Sequence, residues 1–403
     1  MIYSKYLPFY CILGKQGENM KIKSMTIDNI CGIKHLDLTF NSGLNLICGE
    51  NGVGKTTILK AITHRFLYGE DGFIKKTSGS EEGKVSICLN NGQTLDYVVT
   101  DFIPQNIVYY SNYEYENGKS ILYFAPTRQI VYSRIEALPK IPSERKKEYG
   151  AQNLAYGVNP SIKSWLINRI LFSKLDDSLT DIQQKNLDLC LSIFTRLDPD
   201  LRYYTAKPDF EILLTQKDKQ IYFEMLSDGY KSCLYILLGI IQEVESRFPQ
   251  KYVSDFDGVF LIDEIDLHLH PQWQTKLVNL LKEIFPKVQI IATTHSPSVL
   301  QTAKKEELIP LYKDSNGNIC IKELQLGEYG LQGWTLEEIM QDVMGMPSTN
   351  SELYLNAIKA FDDAMNNEDQ EEILKNYEIL KKMLHPQNPL LQLLEIQVAE
   401  WKN

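Results

Sequence analysis

"GENGVGKTT", residues 49–57, is the stretch on which the reading of this chain turns. It fits the pattern G-x-x-x-x-G-K-[ST]. The apolar run "GLNLICG" leads into it as a buried strand, and helical periodicity follows from residue 55 to about 68. Strand, glycine loop and helix in that order form the context in which this pattern cradles phosphate. Glycines let backbone N–H groups converge on phosphate oxygens without Cβ clashes. The helix start adds the positive end of its dipole. Gly49, Asn51, Gly52, Val53, Gly54, Lys55, Thr56 and Thr57 are therefore the expected cradle. Lys55 is placed to neutralise the β- and γ-phosphates, and the Thr56 hydroxyl to ligate Mg²⁺. The bland alternative is a glycine-rich turn that matches by chance, which the flanking strand and helix argue against.

Working outward, "VFLIDE" (259–264) is the natural partner. Four apolar residues predict a central parallel strand. Asp263 at its end is placed to hold a Mg²⁺ hydration shell, and Glu264 to orient or deprotonate an attacking water. Alone, the same stretch reads equally well as a core strand ending at an acidic surface turn. "LSDGYKS" (226–232) stands at a helix start, where Ser227 and Gly229 offer a hydroxyl and N–H groups to an anion. Alone, it is an ordinary N-cap. "ATTHSP" (292–297) ends another buried strand, and His295 there can donate to a γ-phosphate. Alone, it reads equally well as a satisfied histidine at a strand end. His268 and His270 lie two apart in "LHLH", with no C-x-x-C or H-x₃-H companion to complete a zinc site.

Composition sets the bounds. The chain has 403 residues, 43% hydrophobic and 23% charged, as expected of an ordinary globular protein. Its net charge of −10 argues against a dedicated nucleic-acid coat. "CLYILLGII" (233–241) is the longest apolar stretch and is too short to cross a bilayer. Seven dispersed cysteines read as reduced thiols, which predicts a cytoplasmic protein.

Together the four motifs resemble, in their order, the ABC-type ATPase family in its non-transporter branch of SMC-like, RecF-like and OLD-like members. The resemblance covers about residues 21–322 and implies an α/β fold: an ABC-type, P-loop head with a mixed sheet and flanking helices. The expected organisation is an N-terminal extension over 1–19, a lobe with the phosphate loop over 20–128, a helical insertion over 129–205, a second lobe with signature, acidic strand and switch histidine over 206–328, and a helical partner-binding region over 329–403. "GENGVGKTTILKAI", "DEIDLHLHPQWQ", "THSPSVL" and "YGLQGWTLEEIMQDVMGM" are similar to the Septu-type ATPases of bacterial anti-phage systems, which also occur with retrons. The chain is short for that family.

The resemblance implies ATP and Mg²⁺ as cofactors and a homodimer, or higher oligomer, closed head to tail. Each ATP would be held by the phosphate loop of one copy and by Ser227 and Gly229 of the other. Asp263 and Thr56 would hold the metal, Glu264 would position the water, and His295 would read the γ-phosphate. Leu267–His270 falls where the family carries the D-loop, which crosses the dimer interface. Gln129 is the best match to the Q-loop glutamine, with Gln105 behind it. The implied partner is a separate nuclease of HNH or TOPRIM type, since after Gly333 the sequence offers only helices. Direct contact with DNA, as in a RecF- or SMC-like repair ATPase, is the alternative. A transporter subunit ranks last, because Lys55 and Ser227 lie 172 positions apart.

Overall fold

The computed structural model describes residues 20–104, 108–111, 115–128, 130, 132, 134–138 and 152–401. The extension over 1–19, Gln105 and Gln129 lie outside the described residues. The chain divides into two compact units, one running to Ile339 with Val343–Gly345, the other comprising Met340–Asp342 and Met346–Asn403.

The first unit opens with antiparallel strands β1 (Ile22–Ile30) and β2 (Ile33–Thr39). Then come β3 (Leu44–Gly49), buried at every position, and helix α1 (Lys55–Phe66). Strands β4 (Tyr68–Asp71), β5 (Gly83–Leu89), β6 (Thr94–Val99), β7 (Val108–Ser111) and β8 (Ile121–Phe124) follow. Helices α2 (Ile162–Phe172) and α3 (Asp181–Leu197) lead to β9 (Leu201–Ala206), β10 (Ile212–Gln216) and β11 (Lys219–Tyr222). The rest of the unit is α4 (Asp228–Arg247), β12 (Val259–Ile262), α5 (Pro271–Ile284), β13 (Gln289–Thr293), β14 (Leu308–Lys313) and β15 (Ile319–Ile321).

The central sheet has the order β15-β14-β3-β13-β12-β8. The five strands from β14 to β8 are parallel, and β15 closes the other edge antiparallel. Successive strand residues face opposite sides, and the two cores show it. Leu44, Leu46, Cys48, Phe260 and Ile262 enter one core with Trp165 of α2, Ile193 of α3, Leu237 of α4 and Leu277 of α5. Ile47, Val259 and Leu261 enter the other with α1 and the antiparallel sheet β2-β1-β5-β6. Being covered on both faces explains why β3, β12 and β13 read as continuous apolar runs. Each fully buried Leu, Ile or Phe contributes about 1.5–3 kcal/mol.

Helices α2 and α3, read from sequence as an insertion, share the core of the phosphate-loop lobe. The helical stretch ends at Leu197, and β9 begins at Leu201 and pairs with β10. α3 starts with a capping box, in which Thr180 and Gln183 satisfy each other's backbone N–H. Gln289, fully buried at the start of β13, ties the sheets together. Its Nε2 donates to the carbonyls of Ile22 and Asn41, both at 2.7 Å, and its Oε1 accepts the Ile22 N–H at 2.8 Å.

The second unit packs α6 (Glu352–Asn366), α7 (Gln370–Met383) and α8 (Pro389–Ala399) around Phe361, Ile373, Tyr377, Leu380, Leu394 and Val398. Ser351, Asp369 and Asn388 cap the three helices with side-chain oxygens. No described helix is long and apolar enough to cross a membrane.

Candidate nucleotide site

The registers of the parallel strands bring four chain segments to one edge. Ile47 of β3 lies opposite Thr293, Ala292 opposite Ile262, and Ile262 opposite Phe124. The loops that leave β3, β12, β13 and β8 therefore start side by side, at the carboxyl ends where open α/β sheets bind ligands.

The loop after β3 turns on glycines with positive φ: Gly49 at 129°, Gly52 at 77° and Gly54 at 82°. A Cβ on Gly49 would lie 2.0 Å from the Leu311 carbonyl oxygen, so this position also needs glycine for space. Val53 is fully buried and anchors the loop, while Asn51, Gly52 and Thr56 are exposed and Thr57 half-buried. α1 begins with Gly54 as its N-cap, with no side-chain cap and no acid in its first turn. Its leading N–H groups are thus unclaimed by side chains and free to meet an anion. Lys55 is buried, and its Nζ donates to the carbonyls of Gly49 at 2.9 Å and Glu50 at 2.7 Å. Burial pushes its ammonium down, against the pull of nearby Asp263, Glu264 and Asp266.

Asp263 is fully buried just past β12. Its Oδ1 accepts the Thr56 hydroxyl at 3.1 Å and the Thr293 hydroxyl at 2.6 Å. Its Oδ2 is buried and has no hydrogen-bond partner among the described residues. A buried, unpaired carboxylate oxygen is costly unless a cation or donor completes it. Oxygen ligands beside a hydroxyl, near a phosphate cradle, suit Mg²⁺ with part of its water shell. The residues present thus fit the metal as well as the nucleotide.

Glu264 follows in a left-handed conformation, with φ 50°. For a residue with a Cβ that costs about 1–2 kcal/mol. Two contacts hold it. Its N–H donates to Thr293 Oγ1 at 2.7 Å, and its carbonyl accepts from Arg128 Nη2. Arg128 Nη1 donates to the Asp263 carbonyl at 3.2 Å.

The turn after β13 is fixed by Asp266, whose Oδ1 accepts the Thr294 hydroxyl at 2.6 Å and the His295 N–H at 3.2 Å. Burial, and then the charge of Lys55, pushes the His295 imidazole below its usual range. It is neutral at physiological pH and able to donate one N–H.

Ser227 is the exposed N-cap of α4, and its side chain makes no capping bond. A Cβ at Gly229 would lie 3.8 Å from the His268 carbonyl, and Ser232 Oγ donates to the Leu267 carbonyl at 3.3 Å. The structure therefore joins the signature turn to the Leu267–His270 segment. Among the described residues, no hydrogen bond joins Ser227 or Gly229 to the phosphate loop of the same copy. His268 and His270 are both exposed on either side of buried Leu269. No group of three or more metal-ligating side chains occurs among the described residues.

Arg128, Thr293 and Asp266 are site residues that the motifs did not flag. Each had a faint signal. Arg128 ends "APTR" beside Gln129, Thr293 is a hydroxyl closing an apolar strand, and Asp266 is the third acid of "DEID". Lys313 of β14 also approaches the loop, its Nζ 3.6 Å from where a Cβ on Gly52 would sit.

Two family models match the chain: "AAA domain" over residues 24–224, and "AAA domain, putative AbiEii toxin, Type IV TA system" over 166–301. The chain is 41% identical over 388 residues to the Septu protein PtuA of Bacillus thuringiensis, an alignment covering 94% of this chain and 98% of that one. The chain belongs to the Septu PtuA family. A second PtuA, from Bacillus mycoides (strain KBAB4), is 27% identical over 378 residues, covering 90% of this chain and 50% of that protein. PtuA relatives thus come in more than one length, and the chain is short against only one of these two. The retron Vc95 probable ATPase of Vibrio cholerae serotype O1 biovar El Tor is 33% identical over 128 residues, 31% of this chain and 24% of that protein. An ABC-type ATPase head of bacterial defence systems, with its α/β sheet order and phosphate loop, is what the fold and the relatives together establish.

Proposed function

We propose that this chain binds ATP with Mg²⁺ at the strand ends, hydrolyses it within a head-to-tail dimer, and so controls a separate nuclease. The observation that carries the reading is the buried Asp263 carboxylate, bonded to Thr56 through Oδ1 and with no partner at Oδ2 among the described residues, directly before Glu264. Magnesium-bound ATP supplies an activated γ-phosphoryl group. Lys55 and the N–H groups of residues 49–57 hold the phosphates. Thr56 and Asp263 hold the metal side. Glu264 orients the attacking water and accepts its proton, and neutral His295 donates to the γ-phosphate. The exposed, uncapped hydroxyl of Ser227 is supplied to the site of the opposing copy, together with the N–H of Gly229. The Leu267–His270 segment, bonded to α4 through Ser232, links the two sites. Closure with ATP and opening on hydrolysis give the output.

The partner, a nuclease of HNH or TOPRIM type in the cytoplasm, rests on the resemblance of the ATPase to defence systems. Direct DNA binding has less support. Lys75 is ion-paired with Asp101 at 2.6 Å, and Lys76 Nζ donates to the carbonyls of Ser80 and Glu81.

The test is Glu264→Gln in the full chain. It should keep ATP binding, shift the chain to a stable dimer with ATP in sedimentation, and lose hydrolysis. Hydrolysis at the wild-type rate would mean that Glu264 neither orients the water nor takes its proton.

A further inference from the structure

Arg128 is 3% exposed and stands four residues beyond the end of β8. Three carboxylates, those of Asp263, Asp266 and Glu264, act on its charge. Yet its hydrogen bonds go to none of them. Nη1 and Nη2 instead take the backbone carbonyls of Asp263 and Glu264. The guanidinium is a rigid fork, and here it spans two successive carbonyls. Those carbonyls flank the bond about which Glu264 adopts its positive φ. The N–H of Glu264 is fixed from the other side by Thr293 Oγ1 at 2.7 Å. The direction of the Glu264 side chain is therefore set by Arg128 and Thr293, and neither occupies its carboxylate.

The same arginine lines a cavity of about 400 Å³ together with Lys231 and Ser232 of α4 and His268. Ser232 also bonds the Leu267 carbonyl, so the cavity borders the start of the signature helix and the segment that follows the acidic turn. The cavity beside Arg128 makes a small planar cation the natural probe of the guanidinium's position.

We infer that Arg128 is a positioning residue for hydrolysis: it clamps the Asp263–Glu264 backbone so that the Glu264 carboxylate faces the phosphate loop. It acts through Glu264 and does not touch nucleotide. The inference rests on the ATPase reading above.

The experiment uses full-length Arg128→Met and Arg128→Lys, with binding followed by a fluorescent ATP analogue and turnover by phosphate release. In Arg128→Met, kcat should fall by about 100-fold, since misplacement of a reacting group by a fraction of its own size has that effect. Nucleotide affinity should stay within about twofold of wild type. Added guanidinium chloride at low concentration should raise kcat of Arg128→Met by about fivefold or more, and leave wild type unimproved. Arg128→Lys, with one donor group in place of a fork, should fall between the two. Wild-type turnover in Arg128→Met, or equal losses of affinity and turnover in Arg128→Lys, overturns the inference. If both variants fail to fold, the role is structural and the inference also falls. Glu264→Gln separates the two readings. If it hydrolyses ATP normally, the function assigned to Glu264 fails; if it is inactive while Arg128→Met is normal, only the positioning role fails.

Discussion

The Thr56 hydroxyl donates to Asp263 Oδ1 across 3.1 Å, joining residues 207 positions apart. The loop after β3 and the end of β12 are not even neighbouring strands, because β13 lies between them. Thr293 of β13 bridges the gap by bonding the same carboxylate oxygen. Helix α1 and strand β13 thus converge on one carboxylate oxygen just past β12, and its twin, Oδ2, has no hydrogen-bond partner among the described residues.

Lys55→Ala should lose ATP affinity by at least about tenfold, or about 1.4 kcal/mol. Among the described residues the lysine's hydrogen bonds go to loop carbonyls, so circular dichroism should be unchanged. Isothermal titration with ATP and Mg²⁺ measures the loss, and unchanged affinity counts against the phosphate cradle.

Thr293→Val keeps the shape of the side chain and removes both of its bonds in the site. The Asp263 carboxylate and the Glu264 N–H each lose a partner. The cost should be about 2–4 kcal/mol in chemical denaturation. Thr293→Ser, which keeps the oxygen, should cost about 1 kcal/mol for its lost methyl group. Equal costs for the two would show that the hydroxyl is unimportant.

Gly49→Ala should be more damaging than its size suggests. The added carbon meets the Leu311 carbonyl at 2.0 Å, and φ is 129°. Loss of about 3–5 kcal/mol, read from thermal unfolding, is expected. Gly79→Ala is the control, with positive φ but nothing within 4 Å. A melting temperature for Gly49→Ala no lower than the control's contradicts the packing described.

His295 gives a pH prediction. Its folded-state pKa lies below the ordinary value of 6.5. Well above 6.5 it is neutral folded and unfolded, and contributes no pH dependence. As pH falls below that, the unfolded chain takes up a proton first, and stability drops. His295→Gln should therefore lose less stability than wild type between pH 7 and about 5. Parallel stability curves for the two proteins would rule this out.

Much of the fold was legible in the sequence because its key strands are covered on both faces. β3 and β12 announce themselves as apolar runs, and α4 begins at Asp228, within the stretch 226–232 read as a helix start. What was illegible depends on long-range packing. Arg128 looks like a surface arginine beside a proline-containing turn, and only its burial against carbonyls from residues 135 and 136 positions away gives it a role. The expected helical insertion likewise hides that α2 and α3 cover the sheet, because periodicity shows that a helix is amphipathic and not what it packs on. The histidine pair was ambiguous for a related reason. Spacing alone does not say whether two side chains converge, and buried Leu269 between them leaves both at the surface.

The sheet order has a consequence for how the molecule is made. β3 pairs on one side with β13 and on the other with β14. Both partners begin about 240 residues or more after β3 ends, and synthesis at about 5–20 residues per second leaves that strand without neighbours for about 12 seconds or longer. During that interval its apolar face and both hydrogen-bonding edges are open to other chains. A chain synthesised only as far as residue 288 therefore carries the complete phosphate-loop motif and the antiparallel sheet that packs against α1, while β3 still lacks both of its strand neighbours.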